Sequence, residues 1–245
     1  MNTIQMYDAQ ADSINIEDIA TNDNNRIILR RMKRNNSDDH DSLFIQNLHD
    51  QDGEACEDYV PEGAHDMGWL GYFIGKSDYL NKLIFIRLTL TPISGASIAE
   101  VLEPFLMGLN RNKSIRELNF EGMDLLGGRV FSMLGPFFKN CPTLSHLQID
   151  LCTLGDDGWR LLSLAIGSSK HKSLEHVELL NNDISDERMV DIITSLSIHP
   201  RLEELELYGN RCSTNGCMAL STLLRCSVTE LKLLILTIMK SMMRV

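Results

Sequence analysis

The chain carries Leu174-x-x-Val177-x-Leu179-x-x-Asn182-x-Ile184 and, 28 residues later, Leu202-x-x-Leu205-x-Leu207-x-x-Asn210-x-Cys212. Each copy is followed by apolar residues at helical spacing: Ile192 and Leu196 after the first, Leu220 and Leu223 after the second. A strand followed by a helix cannot bury its apolar faces alone, but stacked copies bury theirs on each other. The pattern therefore predicts a stack of strand–helix repeats.

The strand half of this pattern recurs along the chain, with starts at residues 80, 115, 144, 174, 202 and 228. Successive starts are 35, 29, 30, 28 and 26 residues apart. Burying one Leu side chain contributes about 1.5–3 kcal/mol, while ordering each residue costs about 1–2 kcal/mol, so one repeat cannot fold alone. We expect residues 80–86, 115–121, 144–150, 174–180, 202–208 and 228–233 to form one parallel sheet.

The N-terminal part differs from the rest in charge, because residues 1–67 hold −10 of the net charge of −11. We expect residues 1–65 to be an acidic, mostly disordered arm, with no stable structure over residues 1–58. Gly68–Ser77 echoes the helical half-repeat Gly158–Ser169. Residues 66–79 are therefore predicted to be a capping half-repeat, followed by the repeats over residues 80–233.

The C-terminus leaves the pattern, and residues 234–245 are expected to be a divergent tail. A shifted reading of codons permitted for Thr237–Val245 gives Asn-Asn-Glu-Ile-Asn-Asp-Glu-Gly, which is similar to Asn181–Arg188. This favours a truncated or frameshifted C-terminus, which would leave apolar residues such as Leu233, Leu234 and Leu236 uncapped. A product without a function of its own is one alternative that follows.

Residues 68–233 resemble leucine-rich repeat proteins of the ribonuclease-inhibitor-like type. The resemblance implies an α/β solenoid in the shape of a horseshoe, with parallel strands on the concave face and helices on the convex face. It also implies that Asn182 and Asn210 satisfy backbone groups in buried turns. At the equivalent position, the earlier repeats have Leu88, Met123 and Cys152.

Side chains that alternate with the buried ones are expected to line the concave face. Over four repeats this face has eight acids and one base, Arg116. Our candidate partner-binding residues on it are Glu117, Glu121, His146, Asp150, Glu175, His176, Glu178, Glu203, Glu204, Glu206 and Tyr208. Like charges sorted onto one surface favour a non-enzymatic scaffold that binds a basic protein partner. The alternatives are a solvated face kept polar for solubility and a GTPase regulator, because Ran GTPase-activating proteins share this repeat type.

No catalytic, cofactor or metal site is predicted. His146 and His176 fall at one motif position in adjacent repeats and should stack about 5 Å apart. With Asp150 and Glu178 they offer zinc-ligand types, but we favour two exposed imidazoles on a polar sheet. The chain has no HExxH, GxSxG or phosphate-loop motif, and we interpret its six cysteines as reduced core thiols.

Localisation and other partners are predicted from charge and hydropathy. The acidic face has the wrong sign for nucleic acid, and no stretch is apolar for long enough to suggest a membrane helix. We therefore expect a cytoplasmic protein with no nucleic-acid or membrane partner. The basic cluster Arg26–Arg34 leaves nuclear import, or binding to an acidic surface, as alternatives.

Overall fold

The structure, a computed structural model, describes residues 3–35, 41–46, 58–88, 98–125, 129–211, 213–225 and 230–236. These residues form one open sheet of eight parallel strands in the order β2-β1-β3-β4-β5-β6-β7-β8. The strands are β1 Ser42–Gln46, β2 Asp58–Tyr59, β3 Lys82–Ile86, β4 Glu117–Glu121, β5 His146–Asp150, β6 His176–Leu180, β7 Glu204–Leu207 and β8 Leu233–Leu236. The helices are α1 Thr3–Gln10, α2 Asp23–Arg34, α3 Ala64–Lys76, α4 Ile98–Leu109, α5 Arg129–Asn140, α6 Gly155–Gly167, α7 Asp186–Leu196 and α8 Thr214–Arg225.

The predicted parallel sheet is confirmed from β3 to β7, because the motif positions align in register. Leu118 pairs with Leu147, Leu147 with Val177, and Val177 with Leu205. Successive side chains of a strand point to opposite faces, so these apolar residues all enter one core.

The helices supply the other half of this core. Phe85 of β3 stacks on Phe120 of β4 with the ring centroids 5.0 Å apart, and Phe105 of α4 meets Phe85 edge-on at 5.6 Å. Phe131 of α5 lies against Phe120 in the same way at 6.0 Å. Each helix therefore packs on its own strand while the strands pack on each other, as the repeat pattern requires.

The expectation of a disordered arm over residues 1–65 is wrong for the described part of that segment. Residues 3–35 form α1, a 3-10 turn at Ile16–Asp18 and α2, while β1 and β2 extend the sheet beyond β3. The apolar residues of this segment are few, but they are buried in the same core as those of α3 and β1. The buried ones are Tyr7, Ile16, Ile19, Ala20, Ile28, Leu29, Met32, Leu43, Ile45 and Tyr59.

The helix predicted within residues 66–79 is present as α3, although it is not the outermost element. Tyr7 of α1 meets Trp69 of α3 edge-on at 4.7 Å, and the Tyr72 hydroxyl donates to the Asp8 carboxylate at 2.9 Å. Gly68 leaves the space that the Tyr7 hydroxyl occupies. The N-terminal segment thus covers the helix that we expected to end the array.

The acidic composition of this segment misled the prediction because several polar side chains satisfy backbone groups. Asn25 is fully buried, donates to the Val60 carbonyl at 2.6 Å and accepts from the Val60 N–H at 3.0 Å. The Glu62 carboxylate accepts the backbone N–H groups of Thr21 at 2.7 Å and Asn22 at 3.0 Å. These bonds fasten α2 to the chain that leads into α3.

The last strand is predicted over residues 228–233, but β8 spans Leu233–Leu236 and its register lies three residues later. Leu205 pairs with Leu234 rather than with Leu231. The observed pairing keeps a repeat length of 29 residues, close to the 28 and 30 of the two preceding repeats, whereas the predicted one would shorten it to 26. The connecting helix and turns need this length. The predicted tail beyond Leu236, with its proposed frameshift, lies outside the described residues.

Candidate interaction surface on the open sheet face

The sheet face turned away from the helices, here called the open face, collects the residues singled out from sequence. Two rows cross neighbouring strands in register. The first row is Lys82, Glu117, His146, His176 and Glu204. The second row is Ile84, Asn119, Gln148, Glu178 and Glu206. Glu121 and Asp150 pair at the strand ends, Glu175 and Glu203 precede the strands, and Tyr208 follows β7 with 54% of its surface exposed.

Bases that sequence reasoning missed neutralise the margins of this face. Lys82 lies 2.6 Å from Glu117, Arg87 3.7 Å from Glu121, Arg201 3.7 Å from Glu175, and Lys232 2.7 Å from Glu203. Lys82 belongs to β3, which lies outside the four repeats over which the charges of the face were counted. The other three bases lie just outside the alternating positions. Their signal in the sequence is one basic residue flanking a motif in each case, which alternation alone does not reveal.

The middle positions of β6 and β7 on the open face keep their charge. Glu178 and Glu206 are register partners on adjacent strands, which lie about 4.8 Å apart in a sheet. Neither carboxylate has an ion pair or a hydrogen bond to another described residue. Partial burial raises the pKa of Glu178, and the neighbouring carboxylates, led by Glu206, raise it further. This acid pair is therefore a site of negative potential without a built-in cation.

The two histidines stack as predicted, with ring centroids 4.2 Å apart and planes inclined by 8°. Nδ1 of His146 hydrogen-bonds to Ser145 Oγ at 2.8 Å, and Nδ1 of His176 to Glu204 Oε2 at 2.8 Å. Burial, and then the neighbouring His176, lower the pKa of His146.

The hypothesis of zinc ligation by these histidines does not fit their geometry. Parallel rings direct their free nitrogen lone pairs side by side instead of towards one point, whereas zinc needs convergent ligands at about 2.0–2.1 Å. Across the described residues, no group of three or more His, Cys, Asp or Glu side chains could hold a metal ion.

Cysteine chemistry is equally unsupported by the described thiols. Cys141 and Cys152 are buried thiols outside any disulfide, and the Cys217 thiol is partly buried. Burial raises the pKa of the Cys152 thiol to about 11, so it is protonated at neutral pH and is a poor nucleophile. Cys56, Cys212 and Cys226 lie outside the described residues.

Buried asparagines hold the turns that follow the later strands. Asn210 Oδ1 accepts the N–H groups of Asn182 and Ile184, each at 3.2 Å, and its Nδ2 donates to the carbonyls of Leu179 and Leu207. Asn182 does the same for the preceding repeat, accepting the Cys152 N–H at 2.9 Å. Each asparagine thus ties its own repeat to the one before it and fixes the spacing of the open face.

The basic cluster Arg26–Arg34 lies within α2, where most of its side chains have partners in the N-terminal segment. Arg26 pairs with Asp23 at 2.9 Å, Arg30 pairs with Glu17, and Lys33 donates to the Ile14 carbonyl at 2.8 Å. Ile28, Leu29 and Met32 of the same helix are buried in the core. The cluster therefore forms one side of a packed and hydrogen-bonded helix.

Comparisons with known proteins assign neither a family nor a function to this chain. No protein-family model matches this chain, and no curated protein matches its sequence. Among the described residues, every helix is too short or too polar to cross a membrane.

Proposed function

We propose that the chain is a leucine-rich repeat scaffold of the ribonuclease-inhibitor-like type that binds a cationic protein on its open face. The observation that carries the proposal is the unpaired Glu178–Glu206 acid pair in the middle of β6 and β7, on a face whose margins are internally neutralised. A surface kept polar only for solubility has no need of two unpaired, partly buried carboxylates on adjacent strands, because their repulsion costs free energy.

Three features support the repeat assignment. The motif strands pair in parallel and in register, the repeat length stays at 28 to 30 residues from β4 to β8, and an asparagine closes the turn after β6 and after β7. In the horseshoe that this assignment implies, the open face is the concave one. A concave wall of one charge sign concentrates the field and steers an oppositely charged partner towards it.

A lysine or arginine of the partner would insert between Glu178 and Glu206. Its charge would offset the repulsion from Glu206, which adds to the effect of burial in raising the pKa of Glu178, and each charge-assisted hydrogen bond is stronger than a neutral one. The exposed Tyr208 ring and the stacked histidines flank this position with flat surfaces of the type enriched in binding hot spots. The free, buried thiols of Cys141 and Cys152 keep the cytoplasm as the proposed compartment.

The test compares the wild-type chain with the double charge reversal Glu178→Lys/Glu206→Lys. The matched control is Asp12→Lys/Asp157→Lys, which makes the same change in net charge at exposed acids away from the open face. Proteins captured by each chain are quantified, and the association rate of a purified cationic interactor is measured at low and raised salt.

We expect the control to bind like the wild type and the face variant to associate more slowly, with a flatter salt dependence. An association rate that is unchanged in the face variant would exclude this surface. A small panel of GTPases, assayed for stimulated GTP hydrolysis, separates the scaffold from the GTPase-regulator alternative.

A further inference from the structure

A second cleft, of about 420 Å³, lies where β3 and β4 begin, outside the rows of the open face. Its charged lining residues are Lys76, Arg111, Lys113 and Arg116, against one acid, Asp78. In a chain of net charge −11, four cations around one cleft are an unusual concentration. Their sign is opposite to that of the Glu178–Glu206 acid pair.

The walls of the cleft are held by one buried side chain. Asn112 is fully buried, and its Nδ2 donates to the carbonyls of Ile74 at 2.7 Å and Ser77 at 3.1 Å, at the end of α3. Its Oδ1 accepts the N–H groups of Ser114 and Ile115, each at 2.9 Å. The end of α3 and the loop before β4 are therefore fixed relative to each other, so a ligand would bind without ordering them first.

The four cations differ in how far they are already used. Lys76 and Arg111 share the Asp8 carboxylate at 3.3 and 3.5 Å, so its single negative charge offsets one of their two positive charges. Lys113 donates one hydrogen bond from Nζ, to the Asn140 carbonyl at 2.9 Å. The exposed Arg116 side chain has no ion pair or hydrogen bond within the described residues, which leaves its whole guanidinium available.

The one acid of the lining is itself occupied. The Asp78 carboxylate accepts a hydrogen bond from Asn35 Nδ2 at 2.9 Å, and the Asp78 N–H donates to Asn35 Oδ1 at 3.3 Å. Within the described residues it forms no ion pair with Lys113 or Arg116. With Asp78 and Asp8 both counted, the four cations of the cleft still exceed these two acids by two charges.

We propose that this cleft binds a phosphate group, as inorganic phosphate or as the phosphomonoester of a small molecule. The planar guanidinium of Arg116 can bind two phosphate oxygens at once, and Lys113 adds a point charge with two unused donors. A dianion matches the surplus charge better than a single carboxylate. The volume exceeds that of a phosphate, which leaves room for the organic part of an ester.

The experiment follows the backbone amide resonances of the full chain during titration with inorganic phosphate, with chloride at equal ionic strength as the reference. Phenyl phosphate forms the second arm, and tighter binding of this ester than of inorganic phosphate identifies a phosphomonoester as the preferred ligand. We expect saturable shifts at Lys113, Ser114 and Arg116 that chloride does not produce.

Arg116→Gln should weaken phosphate binding by about tenfold, the cost of a charged hydrogen bond. Lys113→Gln should weaken it less. The control is Arg87→Gln, an arginine whose side chain is 72% exposed at the other end of β3, and it should bind phosphate like the wild type. Arg116 is exposed and its backbone bond to the Asn81 carbonyl does not depend on its side chain, so the variant should fold. Shifts equal to those in chloride, or unchanged binding by a folded Arg116→Gln chain, would overturn the proposal.

Discussion

The two ends of the described sheet differ in how completely their apolar side chains are covered. At the N-terminal end, α1 and α2 pack over α3, and Trp69 is only 1% exposed. At the other end, Leu224 of α8 is 60% exposed, although Ile166 of α6 and Leu196 of α7, at the equivalent positions, are 1% and 0% exposed. At this position burial thus depends on the neighbouring repeat, whereas Leu220 and Leu223 of the same helix are 2% and 0% exposed. The same rule explains why a polar N-terminal segment folds, since α3 offers its few apolar residues a ready surface.

The N-terminal side of this comparison can be broken at Tyr7, which is 4% exposed against Trp69. Tyr7→Ala removes a buried ring and should lower the free energy of unfolding by about 3–5 kcal/mol. Its neighbour Met6 is 40% exposed, so Met6→Ala should change it by no more than about 0.5 kcal/mol. Urea unfolding of both variants measures this, and two equally small losses would mean that the segment is not packed as described.

The C-terminal side is tested by one position in two helices. Leu196→Ala should cost about 2–5 kcal/mol, because the side chain is fully buried between repeats. Leu224→Ala, at the equivalent position, should cost no more than about 0.5 kcal/mol. The same unfolding measurement applies. Equal and large losses would show that another part of the molecule covers Leu224.

The asparagine ladder distinguishes the later repeats from the earlier ones, where Leu88 and Met123 occupy the turn. Asn210→Ala leaves the N–H groups of Asn182 and Ile184 without their acceptor and should cost about 1–3 kcal/mol. Asn215→Ala, at an exposed asparagine in the first turn of α8, serves as the control and should be nearly neutral. Similar midpoints of thermal unfolding for both variants would argue against the ladder.

The smallest effect concerns pH and His199, which is fully buried at the end of α7. Burial lowers the pKa of His199 below its usual 6.5, and its Nδ1 accepts the Leu174 N–H at 3.4 Å. A depressed folded-state pKa means that the neutral form stabilises the fold above about pH 6.5, and that this stability is lost as the pH falls. The free energy of unfolding should therefore fall between about pH 7.5 and about pH 5.5, above the range where carboxylates titrate.

His199→Gln should remove the histidine's share of this slope, although the variant is less stable at neutral pH. Glu178 acts with the opposite sign, because its raised pKa means that its charge disfavours the fold at neutral pH. The informative quantity is thus the difference between the wild-type chain and the His199→Gln variant in how steeply the free energy of unfolding changes with pH. Parallel pH profiles would contradict the assignment of the neutral form to His199.

The strands from β3 to β7 could be predicted because their apolar alternation is local and their length repeats. The register of β8 could not, since Leu231, Leu233, Leu234 and Leu236 fit the strand pattern in two frames and only the length of the α8 connection decides between them. The N-terminal helices were missed for another reason. Their apolar residues are sparse, and their partners lie far along the chain, 64 residues away for Asp8 and Tyr72 and 103 for Asp8 and Arg111.

The candidate surface, too, could be predicted from the sequence only in part. Alternation placed Glu178 and Glu206 correctly on the open face and predicted the stack of His146 on His176. It did not predict that Arg201 and Lys232, just outside the strands, would neutralise Glu175 and Glu203. Pairing between residues 26 to 29 positions apart depends on the final register, which a count of charges does not contain. The Glu178–Glu206 acid pair stands out only when the acids that have basic partners are set aside.

Hydrogen–deuterium exchange along the chain tests the difference between the two ends most directly. We expect the amides of α2, over Asp23–Arg34, to be protected to a degree comparable with those of α3, because α2 is packed and hydrogen-bonded into the array. We also expect faster exchange in β8, where Leu233 is 40% and Ile235 is 36% exposed. Exchange of α2 at the rate of an unfolded chain, beside a protected β8, would contradict the account.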